Sequence, residues 1–560
     1  MRSGISLYSF CLAIALGLAS VAHAATYNVT LRDGPDRPDT GDYTLAGAIA
    51  AANLDAEPAE VLIYTPVSLL YAPLELTNTV TIAAADPDVV AGVYLLEGVQ
   101  TAIIVGAGAS GSRLEDVFLV YDGPVGGATA IELCDTELAI EGGVIGRFGK
   151  ALDLQCGAVG LTVEGAVFDA NEIVLSGQLA SAAVLNFTNI DVRGVLADLQ
   201  ASECGGRLEL DSIRSNWYGQ INDIPAKSAI TLAGCIDMDM RNSAFRTGSA
   251  FLQANPLPSV DDSLEPVVLL EQVMVYDYAA GDQPLIQFDG DLLALRHSTV
   301  TRNESSAGNC VAVVGEIQLY HSVIADNRCQ SIALSGSADL QYSLVDLEWL
   351  GGSVSRDVTS LALLGEAARL EGQPPAPAPD SPLRDAGDLA LVPGVGDTPL
   401  TDVRGSARLT GGALDIGAIE FNRLPAFDDK AFLAHRRQRL RGLDDDEVVV
   451  LNLRDYITDP DGHTFEMALV SACGYAKFAG ELACFELRGS LFYNSDTGQI
   501  LSTAGILRRR IELGVLVEDE LGLYGGIFVE IPREGGSDGG GSAAGLLALL
   551  LLLGRRRRAL

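Results

Sequence analysis

Apolar and polar positions alternate in short bursts along most of the chain, and the bursts repeat. Residues 293–300 read Leu-Ala-Leu-Arg-His-Ser-Thr-Val, and residues 317–324 read Ile-Gln-Leu-Tyr-His-Ser-Val-Ile. His297 and His321 hold the same slot, and Asn303 and Asn327 follow each at the same distance. The template is apolar, any, apolar, any, a polar or small residue, then an apolar residue three places on. It also fits Leu138–Ile145, Leu161–Phe168, Leu185–Val192, Met238–Phe245 and Val268–Val275. The polar-or-small slot runs Asp116, Gly142, Gly165, Asn189, Asn242, Gln272, His297, His321 and Tyr342, with an irregular copy near Ser212.

A repeat of about two dozen residues means a solenoid. Strict alternation within each copy predicts strands with one apolar face. One strand cannot bury that face alone, whereas stacked copies form a continuous core. Two or three short strands per turn predict a parallel β-helix, with rungs about 4.8 Å apart. A leucine-rich repeat has a similar period, but its Leu and Asn spacing is absent.

Before the repeats, Tyr27–Leu31 reads as a first strand. Leu45, Ala48, Ile49 and Ala52 then fall at helical spacing, which predicts an amphipathic helix over 43–53 that covers the first rung. After the repeats comes a stiff Pro-rich stretch, 372–380. Beyond residue 423 the runs Glu447–Leu453, Phe465–Val470, Gly489–Tyr493, Ile511–Val517 and Gly526–Ile531 predict short strands of a small β-sandwich.

Charge narrows the partners. The chain carries −37, and five of its arginines lie outside residues 25–554, so that span carries −42. Such a balance argues against nucleic acid, whose affinity comes from neutralised phosphates. Solubility outside the cell explains it, and cation binding is the alternative. Residues 1–24 read as a signal peptide, with Arg2, an apolar centre at Phe10–Leu18 and an Ala22-His-Ala24 cleavage pattern, which implies signal peptidase as a partner. Eight cysteines remain after the leader, and an even count in an exported protein predicts disulfides. Cys134 and Cys156, and Cys204 and Cys235, stand at nearly the same place before successive slots, within reach of a one-rung bridge. The expected pairs are Cys134–Cys156, Cys204–Cys235, Cys310–Cys329 and Cys473–Cys484.

Three phrases then carry a family resemblance. They are Asp380-Ser-Pro-Leu-Arg-Asp-Ala-Gly-Asp388, Thr401-Asp-Val-Arg-Gly-Ser-Ala-Arg408 and Ala413-Leu-Asp-Ile-Gly-Ala-Ile-Glu-Phe421. In this order they resemble the terminal signature of the choice-of-anchor Q family of secreted right-handed β-helix proteins: S-P-x-x-D-A-G-D, D-x-R-G-x-x-R, D-I-G-A-x-E. The opening at 43–53 resembles the T-L-R-E-A-I-x-A-A-N phrase of similar proteins, with Ala46-Gly47 in place of Arg-Glu. The tail has glycines and serines at 535–542, an apolar run at Ala543–Leu553 and four arginines at 555–558. It resembles a GlyGly-CTERM sorting tail. That resemblance implies cleavage by a rhombosortase-like intramembrane protease near Gly535, Gly536 and Ser537, and delivery to the cell surface by type II secretion. An apolar run of this length is shorter than an ordinary spanning helix. A plain C-terminal anchor is the alternative, and membrane contact is expected only through this tail.

Candidate chemistry is sparse. Asp459, Asp461 and Asp519 occupy D-x-D-G and V-x-D-x-x-G positions that resemble cadherin-like domains, and carboxylates so placed suit calcium. Ordinary turn residues explain them as well. Asp385, Asp388, Asp402, Arg404, Arg408, Asp415 and Glu420 form either an active-site cluster or a salt-bridged turn closing the last rung. Glu141 and Glu164 would stack one rung apart, as a glycosidase pair or as solvated acids. His297 and His321 read as a polar ladder or as a reactive pair. The run His435–Arg441, followed by the acids 444–447, reads as a mutually paired surface patch. Trp217, Tyr218 and Trp349 are sugar-stacking platforms or core residues. No nucleophile elbow, phosphate loop or metalloprotease helix is present in the sequence.

The expected division is a signal peptide (1–24), an N-terminal cap with first rungs (25–95), the β-helix (96–371), the Pro-rich and closing segment (372–422), a cadherin- or Ig-like sandwich (423–533) and the sorting tail (534–560). The expected function is a non-catalytic surface protein that binds glycan or matrix. The alternative is a polysaccharide lyase or hydrolase working on an outer face.

Overall fold

The structure is a computed structural model. It describes residues 24–531 apart from 87–90, 217–226, 256–265, 357–366, 389–400, 405–407, 409–413, 422–425, 460–463, 479–480, 487–490, 495–497, 509–510, 520–523 and the single positions 202, 247, 330 and 373. Two compact units divide the chain. The first holds 1–375, 381–387 and 416–418, and the second holds the rest.

In the first unit, 31 described strands join in one sheet. It winds as a parallel β-solenoid of about 11 turns. A typical turn has three strand positions: Thr129–Cys134, Glu137–Glu141 and Val144–Gly146 pair with Lys150–Glu164 and Val167–Asp169 of the next turn. The apolar template positions form inward columns. One runs Leu138, Leu161, Leu185, Leu208, Met238, Val268, Leu293 and Ile317 in unbroken register. All eight are buried. Each such side chain contributes about 1.5–3 kcal/mol relative to exposure.

The polar-or-small slot is a corner. Every residue in it, from Asp116 to Tyr342 and including Ser212, has left-handed backbone, with φ between 46° and 71°. Gly, Asn and Asp tolerate that conformation best, which explains the slot's composition. A hydroxyl often follows. Ser243, Ser298, Ser322 and Ser343 each accept from a backbone N–H of the preceding rung, namely Ile213, Val273, Ser298 and Ser322. Six residues after the slot stands an amide. Asn303 Oδ1 accepts from Tyr278 N and its Nδ2 donates to Val275 O. Asn327 repeats this on Asn303 N and Val300 O, and Asn171 on Phe148 N and Ile145 O. Each amide thereby closes a second left-handed corner in the rung before it, at Arg147, Asp277 or Arg302.

Helix α1 (Leu45–Ala52) packs Leu45, Ala48, Ile49 and Ala52 against the first rungs, as the periodicity predicts. Thr44 caps it, accepting from Gly47 N. The Ala46-Gly47 departure has a local cause. A Cβ at Gly47 would lie 1.9 Å from the Asp36 carboxylate, which accepts from Thr44 N and Oγ1. Asn53, the last residue of that phrase, accepts from Thr77 N and donates to Glu75 O, tying the helix to the next rung.

Three disulfides bridge neighbouring rungs: Cys134–Cys156, Cys204–Cys235 and Cys310–Cys329, with Cα separations of 4.8, 4.7 and 5.5 Å. The fourth expected pair lies on adjacent antiparallel strands, where Cys473 opposes Glu486 and Cys484 opposes Tyr475. The side chains of Cys473 and Cys484 lie outside the described residues.

The closing segment 372–422 does not act as one piece. Residues 381–387 and 416–418 belong to the solenoid unit. They cover its side rather than its end. Gly417 N donates to His321 O at 2.8 Å, Ala418 N to Thr299 Oγ1 at 2.9 Å and Ile416 N to Leu383 O at 2.9 Å. Ile416 and Leu383 share a small core with Val323, Ala325, Leu344 and Ala368.

The second unit has a three-stranded antiparallel sheet (Val448–Asn452, Gln499–Thr503, Leu491–Asn494) and a four-stranded one (Glu481–Glu486, Phe465–Phe478, Ile511–Asp519, Tyr524–Ile531). All five expected strands are present. The strands Glu481–Glu486 and Gln499–Thr503 and helix α2 (Asp429–Leu440) are additions. Leu451, Ile500, Leu513 and Val515 join Phe432 and Leu440 of α2 in one core. The basic run is therefore helical, and it is not simply a surface patch. Arg436 is buried and donates its Nε to Leu507 O at 2.8 Å.

Candidate functional site

His297 and His321 stack with ring centroids 4.9 Å apart and planes 3° from parallel, and Tyr342 continues the stack at 5.3 Å. Both histidines are 2% exposed. The serines beside them donate to backbone carbonyls. The polar-ladder reading fits this geometry, because neither ring faces open solvent.

Glu141 and Glu164 are register partners on adjacent rungs. Arg113 lies 2.8 Å from Glu141 and 3.8 Å from Glu115, the register partner of Glu141 on the other side. Glu141 is thus tied into an exposed ion pair.

The closing acids come together within the second unit. The Asp402 carboxylate accepts from Arg404 N and Nε and from Glu420 N, at 2.8, 3.0 and 3.1 Å. Glu420 Oε2 accepts from Asp415 N, and the Asp415 carboxylate accepts from Phe421 N. Asp402, Arg408, Asp415 and Glu420 are all buried. Asp385 is elsewhere, 3.7 Å from Arg384 in the solenoid unit. Burial, then the charge of Asp415, pushes the Glu420 carboxyl up to about 8, against the pull of Arg408. Glu420 is therefore protonated in the folded chain at neutral pH. The folded chain holds that proton between about pH 4.5 and 8, where the unfolded chain has lost it. Stability from this group is complete at acid pH and is lost as pH rises through the window. Urea midpoints at pH 5 and pH 8.5 should show the loss, a few kcal/mol, and Glu420→Gln should flatten it.

Of the calcium candidates, Asp461 and the side chain of Asp519 lie outside the described residues, and Asp459 is half-buried. Trp217 and Tyr218 are also outside. Trp349 packs against the solenoid core. Ala24, at the expected leader junction, is exposed, and Gly535, Gly536 and Ser537 lie outside. Among the described residues no helix is long and apolar enough to cross a membrane.

The solenoid's outer face carries polar columns. One runs Asp211, Arg241, Glu271, Arg296, Tyr320, Gln341. The column beside it runs Asp239, Leu269, Ala294, Gln318, Asp339, and is interrupted by the apolar Leu269 and the buried Ala294. Arg241 bridges Asp239 at 2.9 Å and Glu271 at 3.7 Å. Tyr320 OH donates to Asp339 at 3.1 Å, and Gln318 Nε2 to Glu316 at 2.8 Å. Around the bend lies an open groove of about 260 Å³, lined by Asn255, Gln287, Asp289, Val314, Ser335 and Leu350. Three of its lining residues, Asp289, Val314 and Ser335, each stand just before a glycine, Gly290, Gly315 and Gly336. Sequence reading did not find the groove. The glycine near the middle of three successive strands, Ile286–Arg296, Asn309–Tyr320 and Ser331–Gln341, was the available signal.

Compared with family models, curated proteins and solved structures, the chain matches none.

Proposed function

We propose that this is an exported bacterial surface protein of the choice-of-anchor Q kind, a right-handed β-helix shaft that binds glycan or matrix along its flank. The observation that carries the export reading is the set of three rung-to-rung disulfides, a device suited to an oxidising compartment. The signal peptide and the GlyGly-CTERM-like tail support it from sequence. The second unit is the stalk of this reading, a cadherin-like sandwich whose two antiparallel sheets share one core. Binding rather than catalysis is supported by the buried histidine stack and by the Arg113–Glu141 pair.

Expression of the full chain in a bacterium with type II secretion and a rhombosortase-like protease tests delivery. The expected product starts at Ala25, ends near Gly535–Ser537 and lies at the surface. Deleting the protease should leave a longer form in the membrane fraction. Cytoplasmic protein with all thiols free would overturn the reading.

A further inference from the structure

The three-stranded sheet of the second unit has one bare edge. Val448–Asn452 lies along Gln499–Thr503, which lies in turn along Leu491–Asn494. Among the described residues Val448–Asn452 pairs with no other strand. The bonds that bracket it fix which groups face outward. Glu447 O accepts from Ala504 N at 2.8 Å, and Leu453 N donates to Gly498 O at 2.9 Å. Bonded positions alternate along an antiparallel pair. Val449 and Leu451 therefore turn their N–H and C=O groups toward Gln499–Thr503, and Val448, Val450 and Asn452 turn theirs to the bare edge.

Sheets guard such an edge with lysine, proline, a bulge or a short strand. This strand reads Val-Val-Val-Leu-Asn, and its register against Gln499–Thr503 is unbroken. Val448 is 62% exposed, Val450 37% and Leu501, the register partner of Val450, 40%. One side of the sheet beside the edge is thus apolar and open to solvent. The other side, with Val449, Leu451 and Ile500, shares its core with helix α2.

An edge of this kind accepts a further extended strand, held by main-chain hydrogen bonds. The outward-turned positions 448, 450 and 452 are symmetric about Val450, so a second copy of the same strand, run antiparallel, presents the same groups in matching places. Charge favours that orientation. Asp444, Asp445, Asp446 and Glu447 stand exposed just before the strand. A parallel copy would lay one acidic run against the other, whereas an antiparallel copy sets the two runs at opposite ends.

We infer that the bare edge at Val448–Asn452 is a homodimer interface, where two copies of this chain join their three-stranded sheets about a twofold axis at Val450. The inference goes beyond the delivery and ligand readings above and depends on neither.

Sedimentation equilibrium of the purified chain tests it, together with cysteine cross-linking. The wild type should show a monomer–dimer equilibrium with a Kd of about 1–100 µM. The dimer should tighten as salt rises from about 0.05 to 0.5 M, because two chains of −37 repel each other. Val450→Lys should weaken it about tenfold or more, as an edge lysine does. Its side chain already faces solvent, so the unfolding temperature of the diluted monomer should match the wild type. Val314→Lys, at an exposed valine of the solenoid, should leave the dimer intact. In the dimer, Val450→Cys places two Cα atoms about 5.5 Å apart, within the span of a disulfide, so oxidation should give a covalent pair. Leu501→Cys lies one strand further from the axis on each side, about 14 Å across, and should not. A monomer at about 200 µM in high salt would overturn the inference. So would a dimer that Val450→Lys leaves unchanged, equal cross-linking at positions 450 and 501, or oligomers larger than a dimer. Should Val450→Lys fail to fold, Val450→Cys decides alone, and absence of its covalent pair overturns the inference.

Discussion

Gly315→Ala is expected to destabilise the solenoid by about 3–5 kcal/mol, enough to lose the rungs around it. Two costs combine. The backbone at Gly315 has φ +115°, a region closed to residues with a Cβ. A Cβ there would also lie 1.8 Å from the carbonyl oxygen of Gly290, one rung below. That contact is backbone on backbone, so no side chain can swing away. Gly336 repeats the geometry one rung above, 1.9 Å from Gly315 O. Gly281→Ala is the control. Its φ is +60° and nothing lies within 4 Å, so it should cost only about 1 kcal/mol. Denaturant midpoints of the two variants check the contrast. Equal, small losses would show that the rungs are not stacked through these bends.

The second large effect is expected from Asn303→Leu. Asn303 is fully buried, and its amide satisfies Tyr278 N and Val275 O while donating to Asn327 Oδ1. Leucine fills the space but strands a donor and an acceptor in the interior, a loss of about 3 kcal/mol. Hydrogen exchange adds a local readout. The Tyr278 amide should exchange far faster in the variant than in the wild type. Wild-type protection at Tyr278 would mean that the amide does not close the corner. An apolar substitution on the outer face, such as Gln318→Leu, should leave both readouts unchanged.

These two sites show what the residue pattern carries. The slot spacing and the apolar columns were legible because every rung repeats the same burial demand. Asn303 and Asn327 were visible as a matched pair, but their task was not, and Asn171 sits at the same six-residue offset after Gly165. The slot's mixture of Gly, Asn, His and Gln fits a turn as well as a ladder, and left-handed backbone is its cause. Other features depended on contacts that local patterning does not hold. Residues 416–418 reach the solenoid's side through a bond to Thr299 spanning 119 positions. Helix α2 escaped because its buried stripe is Phe432, Arg436 and Leu440, with a charge in the middle of the apolar face. That charge is stable there because it binds the terminal carbonyl of the short helix Ala504–Leu507.

Stacked rungs are tested most directly by digesting the unreduced, purified protein and identifying its cross-linked peptides by mass spectrometry. Cys134 should be found joined to Cys156, Cys204 to Cys235 and Cys310 to Cys329, because each pair faces across one rung. A cross-link between distant rungs, such as Cys134 to Cys235 or Cys204 to Cys329, would contradict the solenoid.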